Sequence, residues 1–564
     1  MSHSEKNIIT WDGPDDPENP FNWPSSKKWR VTVLACSITF LSGISGTALA
    51  PTAPLLTSTF HLAPDATRTI PPTYYPIFAW TLSAGVIPLL LLPLMETYYG
   101  VRTPYLLCVL TLALSTIPQA LAPGSGSGSG DGDGDGDGNG GAYPLLIAIR
   151  ILTGGAAGVL QNVTGGIVGD VWAGPRARSK PVALYIWALV GGLMAGPVVG
   201  GGTVWGANVN IDDERASIGQ GGLSWRYVCW EQLAIYAALV PLAYLLLPET
   251  RGSIILARRA AAVRKATGDP SVRAEGEEGD GGVSLAELLK DAVGRPLRML
   301  TTEPLVACST LWSAFCFGNA LLFTQSIPRV YGELYGWESW RAGVVQAGLL
   351  VGVTLGLVVG APVQDALYYT TSSLRKKNQQ QHQSTDDDSE NGNNEGGLEH
   401  KEEHFTPEAR LYLAIPASFL CLSGGLFLYA WTSSPHIHWL APTSGLVLVG
   451  AGIFTVVTAA SNYVEDAYSR YAASALAGVA FGENMTGAFL PLAEQPLYTN
   501  LGSLRWASCL LAFVAVALSF APVVMVWKGE AIRKRSPFIK EAMYESTQGA
   551  EFVGPEGRGG PQSV

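Results

Sequence analysis

The sequence predicts an all-α membrane protein, with twelve transmembrane helices in two pseudosymmetric six-helix bundles. Three observations predict it. Apolar residues make up 48% of the 564 and charged ones only 15%, with mean hydropathy +0.21, where soluble domains carry about 25% charged residues. Apolar runs of about 20 residues with few charges recur along the chain, each long enough to cross hydrocarbon. Charge is asymmetric: with both termini placed inside the cell, 29 of the 36 Lys and Arg fall on the cytoplasmic side, the bias that orients membrane proteins.

The elements follow in order. Residues 1–28 form a polar cytoplasmic tail, and the first apolar run is long enough to be a span, so no cleavable signal is predicted. Six spans lie near 29–50, 74–94, 104–123, 142–164, 181–205 and 225–248, making an N-terminal bundle over 29–248. Within it the insert "GSGSGSGDGDGDGDGNGG" (124–141) holds ten glycines and four aspartates and reads as a flexible acidic outer loop. It lacks the bidentate acid and fixed backbone ligands of a calcium loop. A charged cytoplasmic linker covers 249–300. Six more spans near 304–327, 341–362, 410–431, 440–463, 471–492 and 505–527 make a second bundle over 301–527. A disordered cytoplasmic loop (370–408) interrupts that bundle, and 528–564 is a cytoplasmic tail. Two such bundles joined by a polar linker suggest a solute path between halves at mid-membrane.

Span 5 holds an unusual stretch, "GGLMAGPVVGGG", with six glycines and a proline in twelve residues. Gly192, Gly196, Pro197, Gly200 and Gly201 form GxxxGPxxGG. Glycines four apart share a helix face and admit a close neighbour, and Pro197 removes a backbone donor and bends the helix. The stretch predicts a smooth, bent helix that rocks against a partner.

This pattern resembles the "antiporter" motif of drug:proton antiporters in the major facilitator superfamily, in its fungal twelve-span branch. Other stretches resemble the same family. They are "NPFNWPSSKKWR" before span 1, "RILTGG" in span 4, "GDVWAGPRARSKPVALY" after it, and "LPETRGSIILARRAAAVRKATG" after span 6. "PEARL", "YVEDAYSRYAASALAG" and "LYTNLGSLRWAS" continue the likeness through the second half. The resemblance implies the major facilitator fold, rocking of two bundles, and a role for Arg150 in proton coupling. It also implies a cytoplasmic latch in the loop between spans 2 and 3. There this chain departs: "LPLMETYYGVRTPY" offers Glu96, Gly100 and Arg102 with shifted spacing and Val101 in place of an arginine. Asp170 matches the loop after span 4, and Gly360 and Asp365 match the repeat after span 8.

Two charges fall deep inside spans. Arg150 stays protonated and needs an acid or carbonyls beside it. Glu483 stands in span 11, "FGENMTGAFLPL", where many relatives carry a basic residue. An ionisable group in the membrane interior is costly and marks a functional site. Glu483 is the candidate for taking up and releasing a proton, with Arg150 assisting; a polar cap at the rim is the structural alternative. Glu96, Arg102, Asp170 and Asp365 are the gating candidates. Pathway candidates are Gln161, Asn162, Tyr185, Trp187, Asn319, Phe323, Gln325 and Tyr463, because aromatic and amide side chains suit a mostly apolar ligand.

The seven cysteines lie in or beside apolar runs without zinc or disulfide spacing, so no metal and no cofactor is expected. No basic, aromatic-interleaved patch points to nucleic acid. A membrane enzyme would need a catalytic constellation, and no His lies within a span. The sequence therefore points to a monomeric, multi-pass plasma-membrane exporter. Its partners would be protons, the lipid bilayer and a small amphiphilic molecule such as a drug, toxin or secondary metabolite. A uniporter or uptake carrier for a polyamine or sugar is the alternative.

Overall fold

The structure, a computed structural model, describes residues 8–60, 62, 71–123, 142–209, 224–275, 285–371, 373, 407–468 and 471–540. The glycine-aspartate insert (124–141), nearly all of the 370–408 loop and both extreme tails lie outside the described residues. Among the described residues, eleven helices are long and apolar enough to span a membrane. Spans 1–6 are Ser25–Phe60, Pro72–Tyr99, Arg102–Ala120, Tyr143–Val171, Arg176–Gly206 and Trp225–Leu246. Spans 7–10 are Pro304–Tyr335, Ser339–Thr371, Pro407–Thr432 and Leu440–Tyr468, and span 12 is Leu504–Arg533. The twelfth helix, span 11, is Ala472–Phe489. Glu483 and Asn484 lower its hydropathy, which is why it falls outside the eleven.

Each half repeats one packing plan. Span 2 packs on span 4, span 1 on span 5 and span 3 on span 6; span 8 packs on 10, span 7 on 11 and span 9 on 12. The halves meet along two seams, span 2 against span 11 and span 5 against span 8. Those contacts are also exchanged by the repeat, so the two bundles are related by an internal pseudo-twofold. Spans 8 and 9 each loosen into a π-helical turn, at Gly356–Gly360 and Ala417–Ser423.

The linker folds against the tail. Ile8–Ile9 pairs in parallel with Arg273–Ala274. Ile9 and Trp11 pack on Leu256, Ala260, Val272 and Ala274 beside the first linker helix, Gly252–Thr267. Arg259 of that helix donates to both oxygens of Asp16, at 2.7 and 3.0 Å, and to Glu18 at 2.7 Å. These bonds hold the Asp16 carboxyl well below the usual carboxylate range, helped by the backbone N–H groups of Glu18 and Asp12. A second linker helix, Leu285–Thr302, lies against spans 2, 7 and 11. At the other end, Ser536 donates to Glu303 at 3.0 Å, just before span 7. The tail, the linker and the segment after span 12 therefore share one face. We call it the terminal face, and the opposite one the distal face.

Candidate functional site

Glu483 is buried at the centre of span 11, 5% exposed. Its carboxylate accepts a hydrogen bond from the Ser313 hydroxyl of span 7. It forms no ion pair among the described residues. The next residue, Asn484, packs on span 2 of the other bundle, where a Cβ at Gly85 would stand 2.7 Å from it, while Tyr185 of span 5 packs on span 4, its ring 3.4 Å from a Cβ built at Gly165. The acid thus stands where the two halves face each other.

Arg150 is fully buried elsewhere in the N-terminal half, and no acid among the described residues pairs with it. Its guanidinium donates to the carbonyls of Ser45 at 2.8 Å, Gly46 at 2.6 Å and Pro76 at 3.2 Å. The local sequence supplies these acceptors. The helix Ser25–Thr47 ends there, so the carbonyls of Ser45 and Gly46, in its last turn, have no helical donor of their own. A cation at the negative end of a helix is favourable, and three carbonyls replace part of its lost hydration. Arg150 and Glu483 are not brought together.

The span 5 glycines divide their work. A Cβ at Gly192 would stand 2.3 Å from the Phe40 carbonyl, one at Gly196 2.0 Å from Thr47 Oγ1, and one at Gly200 2.0 Å from the Ala48 carbonyl. All three pack on span 1 of the same bundle, and Thr47 donates to the Leu193 carbonyl at 2.7 Å. Only the other side of the motif meets the opposite bundle. Gly201 abuts the Trp340 carbonyl, and the Pro197 carbonyl abuts Gly343. The face expected to rock against a partner therefore packs mainly within its own bundle, on span 1.

The pathway candidates scatter. Gln161 donates to Ser42 of span 1 at 3.5 Å. Trp187 stacks on Phe40 and donates to Thr354 across the span 5–span 8 seam at 3.1 Å. Asn162 lies beside the span 2–span 11 seam. Asn319 and Phe323 share the stripe of span 7 that carries Trp312. Trp312 bonds Ser418 and Phe323 meets Tyr429 edge-on, both in span 9. That stripe faces the interior of its own bundle, because its residues recur at helical spacing. Gln325 is half-buried in span 7. Tyr463 is corrected to a different place. Its hydroxyl lies at the Gly529–Glu408 contact, beside the Glu408–Arg533 ion pair that ties spans 9 and 12 at the terminal face.

Two sets of contacts close the seams. At the terminal face, Arg178 pairs with Glu465 of span 10. Ser179 donates to Asp365 of span 8 at 2.5 Å, and the Arg176 guanidinium lies 5.0 Å from the Tyr369 ring centre. Asp365 is held in turn by Arg410, which also bonds Asp466 at 2.9 Å. At the distal face the contacts are neutral. Tyr74 donates to the carbonyls of Gly487 and Ala488 at 3.3 and 3.1 Å, and Phe78 meets Phe489 edge-on. Trp205 stacks on Trp340 with ring centres 6.3 Å apart.

The degenerate loop keeps a latch built from another residue. Glu249 accepts from the backbone N–H of Val101 at 3.0 Å and Arg102 at 3.3 Å, capping span 3. Gly100 has φ +77°, and a Cβ there would meet Glu249 Oε2 at 2.6 Å. Arg102 turns to the Tyr244 carbonyl at 2.9 Å, and Asp170 pairs with Arg251 at 3.2 Å. Glu96 lies on span 2, but its side chain is outside the described residues. Glu249 in "LPETRG" and Glu465 in "YVEDAYSRY" are functional contacts that no expected role covered. The signal was available: each is an acid placed just where a span ends, beside arginines. Tyr74 and Ser313 carried none.

Two pseudosymmetric six-helix bundles meeting along two seams, with a buried acid between them, define a membrane transporter rather than an enzyme. The chain belongs to the Major Facilitator Superfamily, whose sequence pattern matches residues 35–491. It is similar to the MFS-type transporter mpsC of Macrophomina phaseolina, 30% identical over 94% of this chain and 90% of that protein. It is similar to the MFS-type transporter atr4 of Stereocaulon alpinum, 29% identical over 94% of this chain and 83% of that one. The efflux pump radE of Floropilus chiversii is 29% identical over 95% and 86%. Among solved structures, the proton:xylose symporter XylE matches with TM-score 0.57 at 14% identity, covering 90% of this chain and 96% of that one. That likeness concerns the fold.

Proposed function

We propose that the protein is a proton-coupled exporter of small amphiphilic organic molecules, acting by alternating access. The observation that carries this reading is Glu483, an acid with no cation partner among the described residues, buried between bundles and held by the Ser313 hydroxyl. Ionising such a group in a low-dielectric interior is costly, so its proton occupancy depends on which face reaches it. A proton can then favour one facing state and cargo the other, which coupling requires. The efflux-pump name of one relative supports export as the direction. The terminal face gathers most of the lysines and arginines, which supports a cytoplasmic location for it and for both termini. We place the protein in the plasma membrane as a monomer. Arg150, each of whose three nitrogens donates to a carbonyl, acts as a fixed brace for span 1 rather than as the proton carrier.

Transport in inside-out vesicles tests this. With the lumen acidified, a panel of amphiphilic dyes should accumulate in the lumen. An uncoupler and Glu483→Gln should each abolish the accumulation. Uptake indifferent to the gradient would overturn proton coupling.

A further inference from the structure

The chain leaves span 12 as "RKRSPF", Arg533 to Phe538, a stretch that neither seam uses. The helix of span 12 ends at Arg533. One more helical turn covers 537–540, opened by Pro537, which has no N–H to leave unpaired. Ser536 caps that turn. Its hydroxyl accepts from the Ile539 N–H at 3.2 Å and donates to Glu303 at 3.0 Å. Ser536 is 4% exposed and Glu303, one residue before span 7, is 1% exposed. The other oxygen of Glu303 accepts from the Tyr468 hydroxyl at 2.9 Å. Among the described residues no cation pairs with Glu303, so two side-chain hydroxyls hold a buried carboxylate.

Phe538 completes the seat and is buried. Its ring meets Tyr471, just before span 11, with centres 5.5 Å apart, and the Arg298 guanidinium lies 5.6 Å from its centre. Arg298 belongs to the second linker helix, which touches span 2 of one bundle and spans 7 and 11 of the other. The seated segment therefore leans on a helix that bridges the bundles. Its flanks are polar, with Lys534, Arg535 and Lys540 exposed. Three cations run up to the serine and a proline follows it. That is the charge and shape pattern read by the acidic substrate cleft of a proline-directed protein kinase.

We propose that Ser536 is a phosphorylation site, and that the phosphoryl group holds residues 536–540 off their seat. In the seated form the hydroxyl is covered and Arg533 is paired with Glu408, so the kinase takes the lifted conformer. The Ser536 Oγ attacks the γ-phosphorus of ATP. A new O–P bond forms, and the bond from that phosphorus to the β,γ-bridging oxygen breaks. ADP leaves, and the hydroxyl proton passes to the catalytic carboxylate of the kinase. The product carries a charge of about −1.5 to −2, and it has lost the proton that it shared with Glu303. Reseating it would press that charge on a buried carboxylate, so the lifted form persists. The inference rests on the cytoplasmic placement of the terminal face, where ATP and kinases are, and not on proton coupling or on the cargo.

The test uses the full chain in nanodiscs, MgATP and a purified proline-directed serine kinase that selects arginine three residues upstream. Mass spectrometry should find a phosphoryl group on Ser536. Limited chymotrypsin reads the seat, because the Phe538–Ile539 bond is cut when Phe538 lifts out. The phosphorylated chain should be cut there about tenfold faster than the unmodified one. Ser536→Asp should do the same without ATP. Adding Glu303→Gln, whose amide donates to the new carboxylate, should bring the rate back to within about twofold of the wild type. Phe538→Ala unseats the segment by itself, so Ser536 should be phosphorylated about tenfold faster in it. No phosphate on Ser536 even in Phe538→Ala would overturn the inference. So would a phosphate on Ser536 with cleavage unchanged or slowed, since Arg298 would then be holding it in place. In sealed vesicles, kinase added outside should modify inside-out membranes and not right-side-out ones. The reverse would refute both the cytoplasmic placement and this site, while transport indifferent to the gradient would sink proton coupling and leave Ser536 standing.

Discussion

The two faces close by different chemistry. At the terminal face the bundles are joined by charges: Arg178 to Glu465, and Ser179 to an Asp365 that Arg410 also holds. At the distal face they are joined by the Tyr74 hydroxyl on two carbonyls and by stacked or edge-on rings. An ionic closure is sensitive to protonation and charge exchange, because losing one partner of a partly buried pair leaves the other charge uncompensated. A closure made of rings and one hydroxyl is weaker per contact and indifferent to pH across the physiological range. A transporter that must favour one facing state at rest can do so by this asymmetry alone.

The comparison breaks first at Arg178. Arg178→Glu sets two acids against each other across the seam. It should open the terminal face by about 3 kcal/mol, roughly a hundredfold in population. Cysteine accessibility beside Glu483 would report it, and adding Glu465→Arg should restore the closed state. If the double exchange does not rescue, the pair is not the seal.

Next in size is a change that should leave both faces alone. Gly196→Ala drives a methyl into Thr47 and the span 1 backbone, which overpacking studies put at about 2 kcal/mol. Thermal stability should fall without a change in which face is accessible. Gly202→Ala, with nothing within 4 Å of the new Cβ, should stay within about 0.5 kcal/mol. Equal losses at the two positions would show that the close approach to span 1 is not what the glycine serves.

Tyr74→Phe comes third. It removes one hydroxyl and leaves its ring, so the distal face should open by about 1 kcal/mol, near fivefold. The shift should be the same at pH 6 and pH 8. A pH-dependent shift would mean that a titrating group, not the hydroxyl, closes that face. The smallest effect concerns the tail. The folded-state pKa of Asp16 is depressed by Arg259, so its contribution is complete above about pH 4, the unfolded carboxylate value. It is lost only as pH falls through the lower folded value. Protease cleavage of the tail should therefore be flat from pH 8 to pH 4, and release near pH 6 would refute the pairing.

Hydropathy made the spans legible because burial in lipid leaves a long, unbroken trace. Span 11 was legible for the opposite reason: Glu483 interrupts an apolar run, and an acid there has few structural excuses. What the sequence hid was phase. Asn319 and Phe323 look like pathway residues until helical spacing ties them to Trp312 and to span 9. Tyr463 misled in the same way, since a tyrosine near a span end is equally suited to a pore or to an ion-pair cluster. The partner of Arg150 was hidden for another cause: carbonyls freed by a helix end carry no residue-type signature.

The pairing of Ile8–Ile9 with Arg273–Ala274 has a consequence for biosynthesis. The first bundle, its leading segment and the strand that fastens them are all synthesised by residue 275, before span 7 begins at Pro304. The first half can close on itself while the second is still in the ribosome. Nascent span 7 then meets a finished surface, and two separately translated halves divided after Glu275 would each carry what they need to find the other.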